Sequence, residues 1–454
     1  MSEPVYHSLN GIQTSLAVLF SFFPEMRILN LALRMDFVSE IKEETMFEAV
    51  RETVRRVKYL DIRLHKLEDG MKQYMCDEIR ECELVDLSDR TPEEIDGILY
   101  DWTCNAFPTC LEDIPLYIFR LIRMPGGGHT MYFCGQHFIM DGYAMLHVIE
   151  MLDKIYGALD TGAELPPVGP TPWKQVEEDW AYLKSERYQR DLKRCGKFFE
   201  TEPQFTSING AGSPEFIEGK RYGKAQGLDQ LEGICLQKRI PRELARRINE
   251  AAAAAGIAPS NYYLMALRSY LAKVSETDDV LLTSSITARR TKYERECGLS
   301  LSSQHFVRTD YPASTPFAEA MLLLSYAQND AYRHPKLRSI DVTHAMNERY
   351  GVPAGCSFYS VQYSYLPLFD LGQTYLKFNP RYIPTGQSNQ PYYLVILPEN
   401  PEGDLLAAHL YSTAYTRAEA VERFHLFMLR FLELALEAPE KTVGALTDEA
   451  LASL

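Results

Sequence analysis

One stretch of the sequence decides the fold: Thr130-Met-Tyr-Phe-Cys-Gly-Gln-His-Phe-Ile-Met-Asp-Gly142. Its first half predicts a buried β-strand, because apolar and β-prone residues follow one another without a charged residue. The strand delivers His137 into a short turn, which Asp141 and Gly142 close. A histidine held in such a turn, with an aspartate four residues later, is typical of a positioned general base.

The segments on either side agree with a strand that leads into a helix. Residues 116–124 form an apolar run, and three glycines at 126–128 separate this run from the next strand, which predicts a hairpin. These glycines precede a strand and lack the Walker spacing, so they do not indicate a phosphate-binding loop. After Gly142, apolar residues recur at helical spacing as far as Tyr156, and Asp141 stands at the N-cap of that helix.

Strand and helix patterns continue along the rest of the chain. Alternation of apolar and other residues predicts strands at residues 28–36 and 60–64. Further strands are predicted at residues 234–240, 280–286, 392–397 and 405–411. Amphipathic spacing and stop signals predict helices at residues 43–57, 175–199, 241–256, 259–274 and 416–436. Residues 201–229 show no sustained period, which predicts a long loop.

The segment 136–142 resembles the His-His-x-x-x-Asp-Gly signature of condensation domains of nonribosomal peptide synthetases. The same signature marks their acyltransferase relatives with the chloramphenicol acetyltransferase-like fold. In that family the second histidine is catalytic and the aspartate is structural, which implies these roles for His137 and Asp141. Gln136 replaces the first histidine. Related acyltransferases also lack that histidine, so the catalytic role stays intact, but assignment to the peptide-synthetase branch is weakened.

Two later segments resemble further motifs of the family. Residues 287–290 resemble its Gly-Arg segment, and Arg289 falls where the family's arginine pairs with the motif aspartate. Residues 297–308 resemble its Val-Gly-x-Phe-x-Asn segment, although the asparagine is absent and Ser302 or Ser303 stands near its place. The resemblance therefore implies a structural set of Asp141, Gly142 and Arg289. The candidate lining residues of the site are Gln136, Ser302 and Ser303.

The order of elements predicts an α/β (α+β) protein of two lobes. The resemblance implies that each lobe is chloramphenicol acetyltransferase-like, with a mixed sheet flanked by helices, and that the active site lies in the cleft or tunnel between them. Four prolines within 164–172 exclude a helix or a central strand there. We therefore expect an N-terminal lobe at 1–163 with the His-x-x-x-Asp-Gly motif, a proline-rich linker at 164–173 and a C-terminal lobe at 174–454.

Composition argues against several classes of protein. The 454 residues carry 47 Lys and Arg against 62 Asp and Glu, and a formal net charge of −15 disfavours general binding to nucleic acid. No apolar run is long enough for a membrane span, and the first residues lack the pattern of a secretory signal. The 9 cysteines include no Cys-x-x-Cys pair and indicate neither a zinc site nor a disulfide framework. These features favour the cytoplasm.

The resemblance implies transfer of an acyl group from a thioester to an amine or hydroxyl of a small-molecule acceptor. His137 would be the general base, and Ser302, Ser303 or a backbone N–H would face the oxyanion. The donor would be acyl-coenzyme A or an acyl group on the phosphopantetheine arm of an acyl carrier protein. We expect no metal and no tightly bound cofactor. Because no adenylation or carrier segment is recognisable, we expect a stand-alone acyltransferase of natural-product biosynthesis that meets its carrier in trans.

Two alternatives stay open at this point. His137 could be a core histidine that a backbone carbonyl satisfies, without a catalytic role. The whole protein could also be a catalytically degenerate member of the fold that binds a carrier protein or a metabolite. Gln136 and the missing asparagine favour this second alternative, whereas the presence of His137, Asp141, Gly142 and Arg289 argues against it.

Overall fold

The computed structural model describes residues 4–197, 199–225, 230–366, 374–399 and 403–454. The helices of these ranges are α1 (Gly11–Phe22), α2 (Glu43–Arg56), α3 (Pro92–Cys104), α4 (Gly142–Thr161), α5 (Trp173–Leu183), α6 (Glu186–Lys197), α7 (Arg242–Ala255), α8 (Ser260–Val274), α9 (Lys292–Glu296), α10 (Phe317–Tyr332), α11 (Ser339–Tyr350), α12 (Ala418–Glu437) and α13 (Val443–Ala452). The strands are β1 (His7–Ser8), β2 (Asn30–Phe37), β3 (Ile62–Leu67), β4 (Gly70–Met75), β5 (Glu83–Asp86), β6 (Tyr117–Arg123), β7 (His129–Gln136), β8 (Gly223–Lys224), β9 (Gly233–Ile240), β10 (Asp279–Thr287), β11 (Ser302–Asp310), β12 (Cys356–Ser357), β13 (Val361–Tyr365), β14 (Phe378–Ile383), β15 (Tyr392–Pro398) and β16 (Leu405–Ser412).

The chain forms two compact units that are not contiguous in sequence. The described residues of the first unit fall within 1–185, 287–302 and 369–386, and those of the second within 186–286, 303–368 and 387–454. The sequence predicted contiguous lobes with a linker at 164–173. The structure divides the chain differently, because two later segments pair with or pack against the strands and helices of the first unit.

The first unit is built on a five-stranded sheet in the order β14-β2-β7-β6-β5. Strands β5 and β6 are parallel and the other neighbours are antiparallel, so the sheet is mixed. Strands β6 and β7 form the predicted hairpin. Gly126 and Gly127 lie in its turn with φ of +80° and +88°, a backbone region that favours glycine. Helix α3 covers one face of this sheet through Ile95 and Leu99, which pack against Tyr132 and Cys134.

Helix α4 follows the motif and anchors the segment that enters β14. Asp153 of α4 is fully buried, and its carboxylate accepts backbone N–H groups of Thr374, Tyr375 and Leu376 at 3.0, 2.9 and 2.6 Å. Gly157 lies against the ring of Tyr375, which a Cβ at that position would approach to 2.2 Å. A buried carboxylate and a missing side chain on α4 therefore hold this distant segment within the first unit.

The second unit is built on a six-stranded sheet in the order β11-β10-β13-β15-β16-β9. Strand β13 is parallel to both β10 and β15, whereas β16 is antiparallel to β15 and β9. Helices α8 and α12 share a core with this sheet, in which Leu267 and Phe427 pack with Tyr363 and Leu394. The predicted fold class, α/β with mixed sheets flanked by helices, is confirmed.

The sequence predicted one continuous helix at 175–199, and this prediction is wrong. The structure has two helices, α5 and α6, which are separated at Lys184 and Ser185. The Ser185 hydroxyl and N–H both donate to the carbonyl of Tyr182, at 2.7 and 2.9 Å. A serine that bonds to the preceding turn in this way competes with continuation of the helix.

Two features are absent from the described residues: a helix that could cross a membrane and a cluster of metal ligands. None of the helices combines the length and the apolar character that a membrane crossing needs. No three side chains of the types His, Cys, Asp and Glu are grouped closely enough to hold a metal ion in the part of the chain that the structure describes.

We predict that Asp153→Ala lowers the free energy of unfolding by about 1–3 kcal/mol, because buried N–H groups lose their acceptor. Urea unfolding measures the change. Hydrogen exchange of the amides at 374–376 should accelerate in the same variant. Asp160→Ala on the same helix is the matched control, since Asp160 pairs with Lys42 on the surface and its loss should leave the free energy of unfolding nearly unchanged. Equal stability of Asp153→Ala and the parent protein would contradict the anchoring role.

Candidate active site

Strand β7 ends at Gln136, and the motif turn begins directly after it. The N–H of His137 donates to the carbonyl of Leu29 at 2.8 Å and to Oε1 of Gln136 at 2.7 Å. The N–H of Ile139 donates to the carbonyl of Gln136 at 3.0 Å and closes the turn. Helix α4 begins at Gly142, as the periodicity predicted. Backbone hydrogen bonds thus fix the point at which His137 leaves the sheet.

Gln136 lies beneath this turn, with only 1% of its surface exposed. Its Nε2 donates to Oδ1 of Asn30 at 3.3 Å, and Nδ2 of Asn30 donates to the carbonyl of Thr103 at 2.8 Å. The oxygen of the Gln136 amide thus accepts the His137 N–H, and its nitrogen donates to Asn30. Gln136 therefore stabilises the motif turn from its buried side.

The carboxylate of Asp141 pairs with Arg289, as the resemblance implied. Nη1 of Arg289 lies 2.6 Å from Oδ2 of Asp141, and the two side chains are 0% and 1% exposed. Nη2 of the same guanidinium donates to the carbonyls of Gly298 and Leu299 at 3.1 and 2.8 Å. Because an unpaired buried charge is costly, this pair ties the motif turn to the segment 287–302.

Backbone and hydroxyl donors complete the environment of Asp141. Oδ1 accepts the N–H of Ala144 at 3.0 Å, which makes Asp141 the N-cap of α4. Oδ2 accepts the N–H groups of Leu301 and Ser302 at 3.0 and 2.8 Å, and the Ser302 hydroxyl at 2.8 Å. Burial alone raises the pKa of Asp141, but Arg289 and these N–H donors outweigh it and hold the pKa below the ordinary 3.8. Asp141 is therefore a carboxylate at neutral pH.

Helix α1 supports both segments that meet at the site. Nε2 of the buried Gln13 donates to the carbonyl of Phe138 in the motif turn at 2.8 Å. Nδ2 of Asn10, the N-cap of α1, donates to the carbonyl of Ser300 at 3.2 Å. Sequence reasoning missed both residues, because they appear there only as an ordinary helix start.

The segment 298–300 approaches the motif in an unusual backbone conformation. Gly298 has φ of +69°, and a Cβ on it would meet the ring of Tyr59 at 2.0 Å. Leu299 has φ of +62°, which is uncommon for a residue that carries a side chain. The N–H of Leu299 donates to the carbonyl of Ile139 at 3.0 Å. The left-handed turn thus lets residues 299–302 run alongside the motif.

The imidazole of His137 is half-buried at the end of this arrangement. Its Nδ1 lies 3.0 Å from Oγ of Ser300, and in the described residues no hydrogen bond joins it to Asp141, four residues later. Burial lowers the pKa of His137 below the ordinary 6.5, and the charge of Asp141 opposes this only in part. The imidazole is therefore neutral at pH 7. Sequence reasoning missed Ser300, which takes the place of the phenylalanine in the family pattern once Gly298 is aligned with its glycine.

The two other serines that were candidates for the site differ in their surroundings. The N–H and hydroxyl of Ser302 both donate to Asp141, so neither is available to a substrate oxygen. Ser303 belongs to the second unit, where its hydroxyl donates to the carbonyl of Pro335 at 2.9 Å and lies 2.7 Å from Nε2 of His305. The structure therefore places Ser302 beside Asp141, which engages both its N–H and its hydroxyl.

A family model described as the condensation domain matches residues 6–450. The chain belongs to the condensation-domain family. Condensation domains generally catalyse acyl transfer that forms an amide or an ester. Surfactin synthase subunit 1 of Bacillus subtilis (strain 168) is 24% identical over 324 residues, which cover 70% of this chain and 9% of that protein. The chain thus spans less than a tenth of the length of this curated relative.

Solved condensation domains share the fold of this chain at low sequence identity. The first condensation domain of the calcium-dependent antibiotic synthetase has a TM-score of 0.82 at 19% identity, covering 97% of this chain and 99% of its own. The condensation domain of the monacolin K polyketide synthase has a TM-score of 0.80 at 14% identity, covering 97% and 100%. A variant of the starter condensation domain of rhizomide synthetase in complex with C8-CoA has 0.79 at 15%, covering 97% and 96%.

We predict that Asp141→Ala lowers the free energy of unfolding by about 3–5 kcal/mol, because it leaves Arg289 buried without a counter-charge. Thermal and urea unfolding measure the loss. His137→Ala is the matched control within the same turn, and its unfolding midpoint should stay close to that of the parent protein. Equal thermal stability of Asp141→Ala and the parent protein would rule out the structural role of Asp141.

Proposed function

We propose that the protein is an acyltransferase that moves an acyl group from a thioester to an amine or hydroxyl, with His137 as the general base. The state of the His137 imidazole carries the proposal. Its lowered pKa makes it neutral, Nδ1 contacts Ser300, and Nε2 makes no hydrogen bond to another described residue. A neutral imidazole with one unengaged nitrogen is suited to accept a proton.

The surroundings of Asp141 support this division of roles. Its Oδ2 accepts four hydrogen bonds and Oδ1 accepts one, so the carboxylate is fully engaged. Protonation would also remove the negative charge that faces Arg289. Asp141 is therefore poorly suited to proton transfer, and His137 is the group of the motif that can act as a base.

The reaction that we propose proceeds by addition and elimination. An acceptor beside Nε2 loses a proton to His137 while its nitrogen or oxygen bonds to the thioester carbonyl carbon, and the carbonyl electron pair moves to oxygen. The tetrahedral oxyanion then reforms the carbonyl as the carbon–sulfur bond breaks. The imidazolium gives the proton to the departing thiolate, which restores neutral His137. Assistance by a general base of this kind typically contributes about 10²–10⁴-fold.

We propose that the donor is an acyl-coenzyme A or an acyl group on the phosphopantetheine arm of a carrier protein. Support comes from two structures of one variant of the rhizomide starter domain, the first in complex with C8-CoA and the second with C8-CoA and Leu-SNAC. Both carriers present the same thioester, and neither requires a metal or a tightly bound cofactor. The acceptor that we propose is a small molecule with a nucleophilic amine or hydroxyl.

The surroundings of Gln136 bear on the alternative of a degenerate binding protein. Gln136 was the main departure from the family signature. It is buried, and its side chain contacts Asn30 and the His137 N–H. Because Gln136 contacts the backbone of the turn and Asn30, it does not cover the imidazole of His137. This favours retained catalysis over a binding role.

We predict that His137→Ala lowers thiol release from acyl thioesters by about 10²–10⁴-fold while the protein stays folded. The assay combines a panel of acyl-coenzyme A and acyl-phosphopantetheine donors with amine and alcohol acceptors, and detects the free thiol. His65→Ala is a control, since His65 lies in the first unit and its side chain is 29% exposed. Equal release by His137→Ala would exclude the base role, and no release by the parent protein across the panel would favour the binding role.

We predict that kcat/KM falls on the acid side with a midpoint below pH 6.5. The base must be neutral, and burial lowers the pKa of His137, so activity is full above the ordinary histidine value and is lost as pH falls through the lowered pKa. Initial rates between pH 5 and 8 test this, with circular dichroism at each pH to show that the fold persists. A midpoint above pH 6.5 in a folded protein would contradict the proposed environment of His137.

A further inference from the structure

Ser300 is the side chain that contacts the imidazole of His137. Its Oγ lies 3.0 Å from Nδ1, and Ser300 is fully buried. The family pattern has phenylalanine at this position, which could not form a hydrogen bond. The contact is therefore a feature of this chain and not of the signature.

Ser300 is held in place from three directions. Its carbonyl accepts Nδ2 of Asn10 at 3.2 Å, which ties it to α1. The residue before it, Leu299, donates its N–H to Ile139 at 3.0 Å, and the residue after it, Leu301, donates to Oδ2 of Asp141 at 3.0 Å. Both neighbours of Ser300 are thus hydrogen-bonded to the motif turn. These bonds hold the Ser300 hydroxyl at a fixed position relative to the imidazole of His137.

The backbone beside Ser300 is strained. Leu299 has φ of +62°, although a branched side chain disfavours that region. Strained residues of this kind persist where the surrounding structure holds them, and they are concentrated at functional sites. Here the strained residue directly precedes the hydroxyl that faces His137.

We propose that Ser300 is a positioning residue for His137: its Oγ accepts the Nδ1 proton, so that the lone pair of Nε2 faces the acceptor. This inference rests on the proposed function. A neutral imidazole carries its proton on one nitrogen. A hydroxyl can accept or donate, but the imidazole also bonds the backbone carbonyl of His137, which only accepts, and an N–H at Nδ1 satisfies the Ser300 contact as well. The imidazolium that forms during the reaction carries protons on both nitrogens. Ser300 therefore accepts from Nδ1 before and after the transfer, and its hydroxyl need not reorient.

A second role for the same pair would be a Ser–His nucleophile. Such a pair would place the acyl group on Oγ of Ser300 before transfer. Full burial of Ser300 leaves no room for a thioester to reach Oγ, so the geometry favours the positioning role. A covalent acyl-enzyme is nevertheless a measurable outcome, and it would overturn the proposal.

The first experiment reads the tautomer without using activity. The protein is labelled with ¹⁵N-histidine, and the two-bond ¹H–¹⁵N correlations of the imidazoles are recorded near pH 8. The spectrum of His137→Ala assigns the signals of His137 by difference. We expect a protonated Nδ1 and an unprotonated Nε2 in the parent protein, and a weaker preference in Ser300→Ala, which keeps only the bond to the His137 carbonyl. A protonated Nε2 in the parent protein would overturn the inference, whether or not the protein proves to be an acyltransferase.

The second experiment measures kinetics in the thiol-release assay. We expect Ser300→Ala to lower kcat by about 10-fold with little change in KM, since one hydrogen bond to the base is lost. Ser300→Thr keeps the hydroxyl and should restore most of the rate. Ser360→Ala is the matched control, since Ser360 is buried in the second unit and donates to the carbonyl of Thr206 at 2.7 Å. A similar loss in Ser360→Ala, or no loss in Ser300→Ala, would contradict the positioning role.

The pH profile and the mass of the protein separate the remaining roles. If Ser300 instead donated to Nδ1, it would stabilise the neutral imidazole, and Ser300→Ala would raise the acid midpoint of kcat/KM. With Ser300 as acceptor, the midpoint should stay or move slightly downward. Intact mass after incubation with the donor alone should show no adduct. An acyl adduct that is present in the parent protein and absent from Ser300→Ala would identify Ser300 as a nucleophile.

Discussion

The ion pair between Arg289 and Asp141 is the constraint on which the site depends. Both side chains are excluded from water, so each charge needs the other and every remaining donor needs an acceptor. The guanidinium also donates to the carbonyls of Gly298 and Leu299. The carboxylate accepts the N–H groups of Leu301 and Ser302. One electrostatic contact therefore sets the start of α4, the path of the segment 298–302 and the position of Ser300 beside His137.

The motif separates two titratable groups by their surroundings. Burial acts on both, but Asp141 meets a cation and several N–H donors, whereas the imidazole of His137 meets the Ser300 hydroxyl and its own backbone carbonyl. The aspartate is stabilised in its charged form and the histidine in its neutral form. Groups that lie four residues apart can thus serve structure and proton transfer separately, which agrees with the general pattern of paired acid and base sites.

Local features of the site could be predicted from the sequence, and long-range contacts could not. Period-two and period-3.6 patterns predicted the hairpin, α4 and the N-cap at Asp141, because these depend on neighbouring residues. The pairing of Arg289 came only from resemblance. Ser300 and Asn10 left no signal, since their contacts join residues 163 and 290 positions apart. The break after α5 was missed because the charged pattern continues across Ser185, whose hydroxyl bond to Tyr182 is not visible in periodicity.

The discontinuous first unit has a consequence for synthesis of the chain. Asp141 and the rest of the N-terminal segment leave the ribosome early, but Arg289 lies about 150 residues later, and β14, which completes the sheet beside β2, later still. At about 5–20 residues per second, the carboxylate waits roughly 7–30 s for its counter-charge. The nascent chain must keep an open sheet edge and an unpaired aspartate in water during this interval. Co-translational folding of the first unit therefore ends only after most of the second unit has been made.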